Sequence, residues 1–329
     1  MIGGLAGADP ADRRLRPAGD GWWERSYELP RDVRTAYWFT NVLVPGGQGD
    51  LIPDPLNPRR HVYAADPETG DEEMAASLVE LPGAAPLRWS VPRVSVPRGK
   101  LRMHRVHSAL LGNERRVFTY VPPGYDGART YPLVACFDGR AYVDDSYIPL
   151  PTVLDNLIAE RAIPPVVAVL PDSLDNETRS RELTLDEPFV EFLTEDLLPW
   201  AHERLSFEDD PARTVVAGSS LGGLAAAFCG FRRPDVFGLV LSQSGAFHRG
   251  LPSDFARVDR LPLRFSLDVG RFETAPFAQF PALYHANLHL HDVLVAKGYD
   301  VTFRPFPGGH DYFWWRETIA DGLIALLGA

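Results

Sequence analysis

Arg213-Thr-Val-Val-Ala-Gly-Ser-Ser-Leu-Gly-Gly-Leu-Ala-Ala-Ala-Phe228 is the stretch that decides the fold. Its first half is apolar and runs to Gly218, so it reads as a strand covered on both faces. Its second half, from Leu221, is a small-residue run that reads as a helix. Between them, Gly218-Ser219-Ser220-Leu221-Gly222 fits G-x-S-x-G, with Gly223 directly behind. A serine on so sharp a strand-to-helix turn takes strained dihedrals, and its hydroxyl stands clear of the sheet. Small residues at 218, 222 and 223 let strand and helix approach closely. Ser220 is therefore the candidate nucleophile. Ser219 occupies the variable position of the motif and is expected to point elsewhere.

A serine hydroxyl is a weak nucleophile until a base removes its proton. Of nine histidines, His310 lies in PFPGGHD (Pro305 to Asp311), a glycine loop after the last apolar strand and before the last helical run. That is the base position when the chain order is Ser, then Asp or Glu, then His. The acid should follow the intervening strand, and RFSLDVGRFE (Arg264 to Glu273) offers two candidates. Asp268 lies within the strand and Glu273 in the loop beyond it. Catalytic groups sit past the carboxyl ends of such strands, which favours Glu273 and leaves Asp268 to support the loop. An oxyanion hole needs two aimed N–H donors. Leu221, next to the nucleophile, is one; Arg140, after CFDG (Cys136 to Gly139), is the expected second. His285 and His289 have i, i+4 helical spacing, but no further ligand stands beside them, and a solvated helix face is expected.

Outward from this centre, strand-like and helical runs alternate from about Leu101 to the end. Arg115–Pro123, Pro132–Gly139 and Pro165–Asp172 read as strands. Thr152–Arg161 and about Ala278 to Lys297 read as helices. So does Glu187–Leu205, with a kink at Pro199. The alternation predicts a mostly parallel, doubly wound α/β sheet, the α/β-hydrolase arrangement. Before it, short alternating runs such as Trp22–Pro30 and Arg34–Val44 are broken by Pro, Gly and Asp, which predicts a small β-sandwich. The expected domains are residues 1–95 (the sandwich) and 96–329 (the hydrolase).

The chain has 329 residues, 45% hydrophobic and 23% charged, and a formal net charge of -11. That charge argues against a general nucleic-acid footprint. No basic block suggests a membrane anchor, no run is long and apolar enough to span a bilayer, and the N-terminus lacks the pattern of a secretory signal. A cytoplasmic location is expected. Cys136 and Cys229 sit in apolar runs and read as buried, reduced thiols.

Several motifs resemble the enterochelin esterases, α/β-hydrolases of the esterase D type that cleave trilactone catecholate siderophores. They are LVACFDG, TRSREL (Thr178 to Leu183), RTVVAGSSLGGLAA, LSQSG (Leu241 to Gly245), DVGRFE and GGHDYFWWR (Gly308 to Arg316), with WWERSYELP and DPLNPRR (Asp54 to Arg60) in the first part. The resemblance implies Ser220 as nucleophile, His310 as base, an acid at Glu273, and an immunoglobulin-like N-terminal domain that helps frame the pocket. It puts Arg179 and Glu182 near the mouth. The first part is short for this family. A catecholate substrate is a large anion, ferric or iron-free, so arginines should gather at the pocket. Arg140, Arg179, Arg181, Arg271 and Arg316 are the candidates, with Trp314 and Trp315 offering flat faces to catechol rings.

The expected function is hydrolysis of an ester or lactone through an acyl-enzyme on Ser220, with no cofactor and no metal. The partner is a small-molecule ester, a ferric siderophore among the candidates, and the oligomeric state is open. The alternative is an acyltransferase or macrolactone-cyclising enzyme using the same triad. A siderophore- or sugar-binding protein without catalysis is a third reading, and an intact Ser, His and acid set argues against it.

Overall fold

The computed structural model describes residues 2–3, 14–41, 50–276 and 281–328. The first part contributes β1 (Ile2–Gly3), β2 (Arg16–Gly19), β3 (Trp22–Glu24), β4 (Arg34–Trp38), β5 (Arg60–Tyr63) and β6 (Met74–Glu80). β1, β4, β6 and β5 form an antiparallel sheet in that order, and β2 and β3 form a separate ribbon. The expected strand over Trp22–Pro30 is thus short. The one expected over Arg34–Val44 stops at Trp38, and its residues 42–44 lie outside the described residues. The Asp54-to-Asn57 turn is locked onto this sheet: Tyr37 donates to Asp54 Oδ2 at 2.7 Å, and Asn57 Nδ2 donates to the Leu78 carbonyl at 2.8 Å.

The remainder forms an α/β-hydrolase fold. It comprises β7 (Lys100–Ser108), β8 (Asn113–Val121), β9 (Leu133–Cys136), α1 (Gly139–Val143), α2 (Leu150–Ala159), β10 (Val167–Pro171), α3 (Asn176–Glu182), α4 (Glu187–Glu191), α5 (Leu198–His202), β11 (Thr214–Ser219), α6 (Leu221–Arg232), β12 (Leu239–Gln243), α7 (Pro252–Arg257), β13 (Arg264–Gly270), α8 (Leu283–Ala296), β14 (Asp300–Phe306) and α9 (Tyr312–Leu327). The sheet order is β14-β13-β12-β11-β9-β10-β8-β7, parallel from β9 onward, with β8 and β7 antiparallel at one edge. The chain winds from β9 to β10 on one side and then to β11 on the other. The carboxyl ends of β9 and β11 therefore flank a switch point, where such sheets open a crevice.

Both sheet faces are covered. Leu224 and Phe228 of α6, Leu290 of α8 and Phe192 pack one face; Val153 and Leu154 of α2 and Ile319 and Leu323 of α9 pack the other. Fully burying each such side chain contributes about 1.5–3 kcal/mol. The long helix expected over Glu187–Leu205 is split by a π-helical turn at Phe192–Leu197. Pro199 has no N–H to give a carbonyl one turn back, so the hydrogen-bond register slips there. The helix expected from about Ala278 begins at Leu283; residues 278–280 lie outside the described residues. Cys136 and Cys229 are buried free thiols, and His285 and His289 are exposed.

The first part is bonded to the hydrolase beside the crevice. Thr35 Oγ1 donates to Asp311 Oδ2 at 2.7 Å, and Trp314 Nε1 donates to the Arg34 carbonyl at 2.5 Å. Arg116 holds both oxygens of Asp66. The connecting segment follows the hydrolase: Asn156 Nδ2 donates to the Trp89 and Val91 carbonyls.

Candidate active site

β11 ends at Ser219 and α6 starts at Leu221, so Ser220 is the whole turn. Its dihedrals, φ 57° and ψ −117°, are costly for a residue with a side chain. The neighbouring backbone holds it there. Ser220 N–H donates to the Gln243 carbonyl at 2.9 Å, and its carbonyl accepts from Leu224 and Ala246. The glycines are needed for space. A Cβ at Gly218 would sit 2.5 Å from the Gly222 carbonyl carbon, and one at Gly223 would sit 2.5 Å from Ser242 Oγ. Ser219 is buried within β11.

His310 Nδ1 lies 2.6 Å from Glu273 Oε2. Glu273 is itself fixed, because Oε1 accepts from the Gly270 N–H at 2.7 Å and from Ser244 Oγ at 2.6 Å. Ser244 Oγ in turn accepts from Trp315 Nε1 at 3.0 Å, and the Trp315 ring meets the His310 ring edge-on. With Nδ1 engaged, Nε2 is the imidazole nitrogen that this contact leaves unoccupied. Ser220 and His310 line the same cleft, of about 480 Å³. Asp268 is placed differently. It is buried among Gln243 and Thr318, with Oδ2 3.5 Å from Gln243 Nε2, and burial pushes its carboxyl up to about 7. It makes no hydrogen bond to His310.

The other expected site residues divide. Leu221 opens α6, where its N–H belongs to the first helical turn and lacks an intrahelical acceptor. Arg140 is not the expected oxyanion donor: its N–H already donates to Asp172 Oδ1 at 3.0 Å. Its guanidinium pairs with Asp144. Arg179 lines the cleft, gripping Asp138 through Nε and Nη2 at 2.8 and 2.7 Å. Arg181 is 60% exposed and lies outside the cleft lining. Trp315 lines the cleft, but Trp314 is buried and stacked on Phe306, so it presents no face to a ligand. Arg316 is buried and donates to the Tyr147 and Asp145 carbonyls. Arg271 approaches Asp32 at 3.7 Å. Glu182 forms a buried two-point pair with Arg115, each contact 2.8 Å.

Sequence reasoning missed Ser244, which buttresses Glu273. Its only trace was the LSQSG stretch, whose Ser244 takes φ 48°. The first part supplies one wall of the cleft, as the family resemblance implied, through residues from Ala64 and Asp66 to Glu72 and Met74 that no motif had named.

Residues 108–326 match the family model described as putative esterase. The iron(III) enterobactin esterase of Dickeya dadantii (strain 3937) is 33% identical over 97% of this chain and 80% of the relative. The chain belongs to the enterobactin esterase family. The ferric enterobactin esterase of Salmonella typhimurium superposes with a TM-score of 0.77 at 28% identity, covering 98% of this chain and 87% of that one. An enterobactin esterase from Shigella flexneri, crystallised in the presence of enterobactin, gives the same TM-score and covers 96% of this chain and 85% of that one. As a member of this family, the chain is a carboxylic-ester hydrolase of α/β-hydrolase fold.

Proposed function

We propose that the protein hydrolyses the ester bonds of a trilactone catecholate siderophore, with Ser220 as nucleophile, His310 as base and Glu273 as the orienting acid. The observation that carries the roles is the 2.6 Å contact between His310 Nδ1 and Glu273. It fixes the ring so that Nε2 is unprotonated before attack. The substrate class rests on the similarity to enterobactin esterases over nearly the whole chain.

Ser220 Oγ attacks the ester carbonyl while His310 Nε2 takes its proton. The carbonyl oxygen becomes an oxyanion beside the Leu221 N–H. Collapse expels the serine-derived alcohol, which receives the proton from His310, and leaves an acyl-enzyme. Water then attacks, giving its proton to His310, and the carboxylic acid leaves with Ser220 restored. Each lactone opening repeats this cycle. No step requires a cofactor or metal, and the cytoplasm is the proposed location.

The lining of the cleft bears on the form of substrate. Asp66, Asp71, Glu72, Asp138, Asp172 and Asp175 line it, against the guanidiniums of Arg140 and Arg179. Both arginines are already paired with carboxylates. A ferric tris-catecholate is a multiply charged anion, whereas the iron-free trilactone, with most of its phenols protonated, carries less negative charge near neutrality. The field of this cleft favours the iron-free form. Incubating iron-free and ferric trilactones with the protein and separating the products by chromatography tests both points. Linear oligomers and monomer should appear, faster from the iron-free form. No opening of either trilactone, with simple aryl esters still cleaved, would remove the siderophore assignment.

A further inference from the structure

A second cleft, of about 560 Å³, lies on the hydrolase sheet away from Ser220. Its walls carry Arg98, Lys100, Arg102 and His104 on one side and Arg204 on the other, over Thr119, Val121 and Pro122. Strand register explains the convergence. Lys100 pairs with Val121 and Arg102 with Thr119, so alternate β7 side chains share one face. The location also follows from register. β8 runs antiparallel to β10, with Tyr120 opposite Ala168 near the start of β10. The cleft therefore opens at the amino ends of the parallel strands, and Ser220 stands at the carboxyl ends.

Its charge is unusual for this protein. The chain is at −11, and most other arginines meet an acid: Arg34 with Glu80, Arg93 with Glu160, Arg105 with Glu68, Arg213 with Glu208, Arg264 with Asp300. Among the described residues, no carboxylate lines this cleft. Among the described residues, Arg98, Lys100 and Arg102 make no ion pair, and Arg204 is tied to Glu203 and the Trp200 carbonyl. His104, bonded to Thr119 Oγ1 at 3.0 Å, has its pKa lowered by burial and then by Arg204 and Arg102. Charges on an edge strand discourage sheet-to-sheet association. That role needs no concavity, and Arg98 and Arg204 lie off the strand.

We propose that this cleft binds a small polyanion carrying two or more carboxylate or phosphate groups, its body resting on Val121, Pro122, Pro123 and Leu205. Like charges gathered in a concave, partly apolar site are relieved by such a ligand. Isothermal titration of the full chain at low ionic strength, with citrate in one arm and pyrophosphate in the other, tests it. Binding in either arm supports the site and names the acid group; added salt should weaken it. A Lys100→Glu/Arg102→Glu variant should lose about tenfold or more in affinity while hydrolysing an aryl ester at the parent rate. Lys100→Gln/Arg102→Gln, milder for folding, should lose less. Absence of binding in both arms, or affinity unchanged in both variants at an unchanged melting temperature, overturns the proposal.

Discussion

Replacing Glu273 by Gln changes one atom and should nearly silence the enzyme. In the native site Oε1 is committed to two donors, the Gly270 N–H at 2.7 Å and Ser244 Oγ at 2.6 Å. The Gly270 donor is backbone and cannot reverse. A glutamine must therefore keep its oxygen on that side and turn its amide NH2 toward His310 Nδ1. The imidazole is then driven to the tautomer with its proton on Nε2, which can no longer accept a proton from the nucleophile. The imidazolium formed during attack also loses its counter-charge. Together these should lower kcat by about 10³- to 10⁴-fold, or about 4–5.5 kcal/mol of barrier, with KM little changed. Initial rates on an aryl ester across substrate concentration measure both. Asp268→Asn, which leaves the Glu273–His310 contact intact, should stay within about fivefold of wild type, well under 1.4 kcal/mol. If Glu273→Gln keeps more than about a tenth of the activity, or Asp268→Asn is the more damaged variant, the reasoning fails.

Asp268 also carries a pH prediction. Its folded pKa is raised from 3.8 to about 7 by burial, so the native state holds this proton after the unfolded chain has lost it. The resulting stability is fully present below about pH 4 and is lost as pH rises through about 7, on the order of 4 kcal/mol. Melting temperatures of Asp268→Asn should fall less than wild type over that window, and parallel curves would contradict this. Glu182→Ala leaves Arg115 buried and unpaired, which should cost about 3–5 kcal/mol in chemical denaturation; a loss under 1 kcal/mol would show the pair to be dispensable. Asp71→Asn/Glu72→Gln should raise the ferric-to-iron-free ratio of kcat/KM a few-fold, and an unchanged ratio would remove the role given to cleft charge.

The elbow was legible because everything that makes it is local. A buried strand, a turn of small residues and a helix adjoin within sixteen residues of chain, from Arg213 to Phe228. Glu273 was legible from its place beyond β13, although the carboxyl buttress from Ser244, 29 residues away, was not. Arg179 was found in the cleft lining as expected, whereas Arg316 and Trp314 misled for one reason: residue type announces a chemical capacity, but distant backbone decides how it is used. Trp314 is bonded to a carbonyl 280 residues away, and Arg316 to one 169 residues away. Arg140 followed the expected strand, yet a carboxylate from the end of β10 had already taken its N–H. None of these pairings has a periodicity or spacing to betray it. That the first part frames the cleft followed from the family resemblance, but the residues that do so, from Ala64 to Met74, carry no motif and enter the cleft only once the two parts of the chain are assembled.

The central claim concerns one oxygen atom, and peptide mapping after a fluorophosphonate tests it. Wild type and Ser219→Ala should each carry a single adduct on residue 220, and Ser220→Ala should carry none while melting at the wild-type temperature. An adduct that persists in folded Ser220→Ala, or that maps to another serine, would contradict the account.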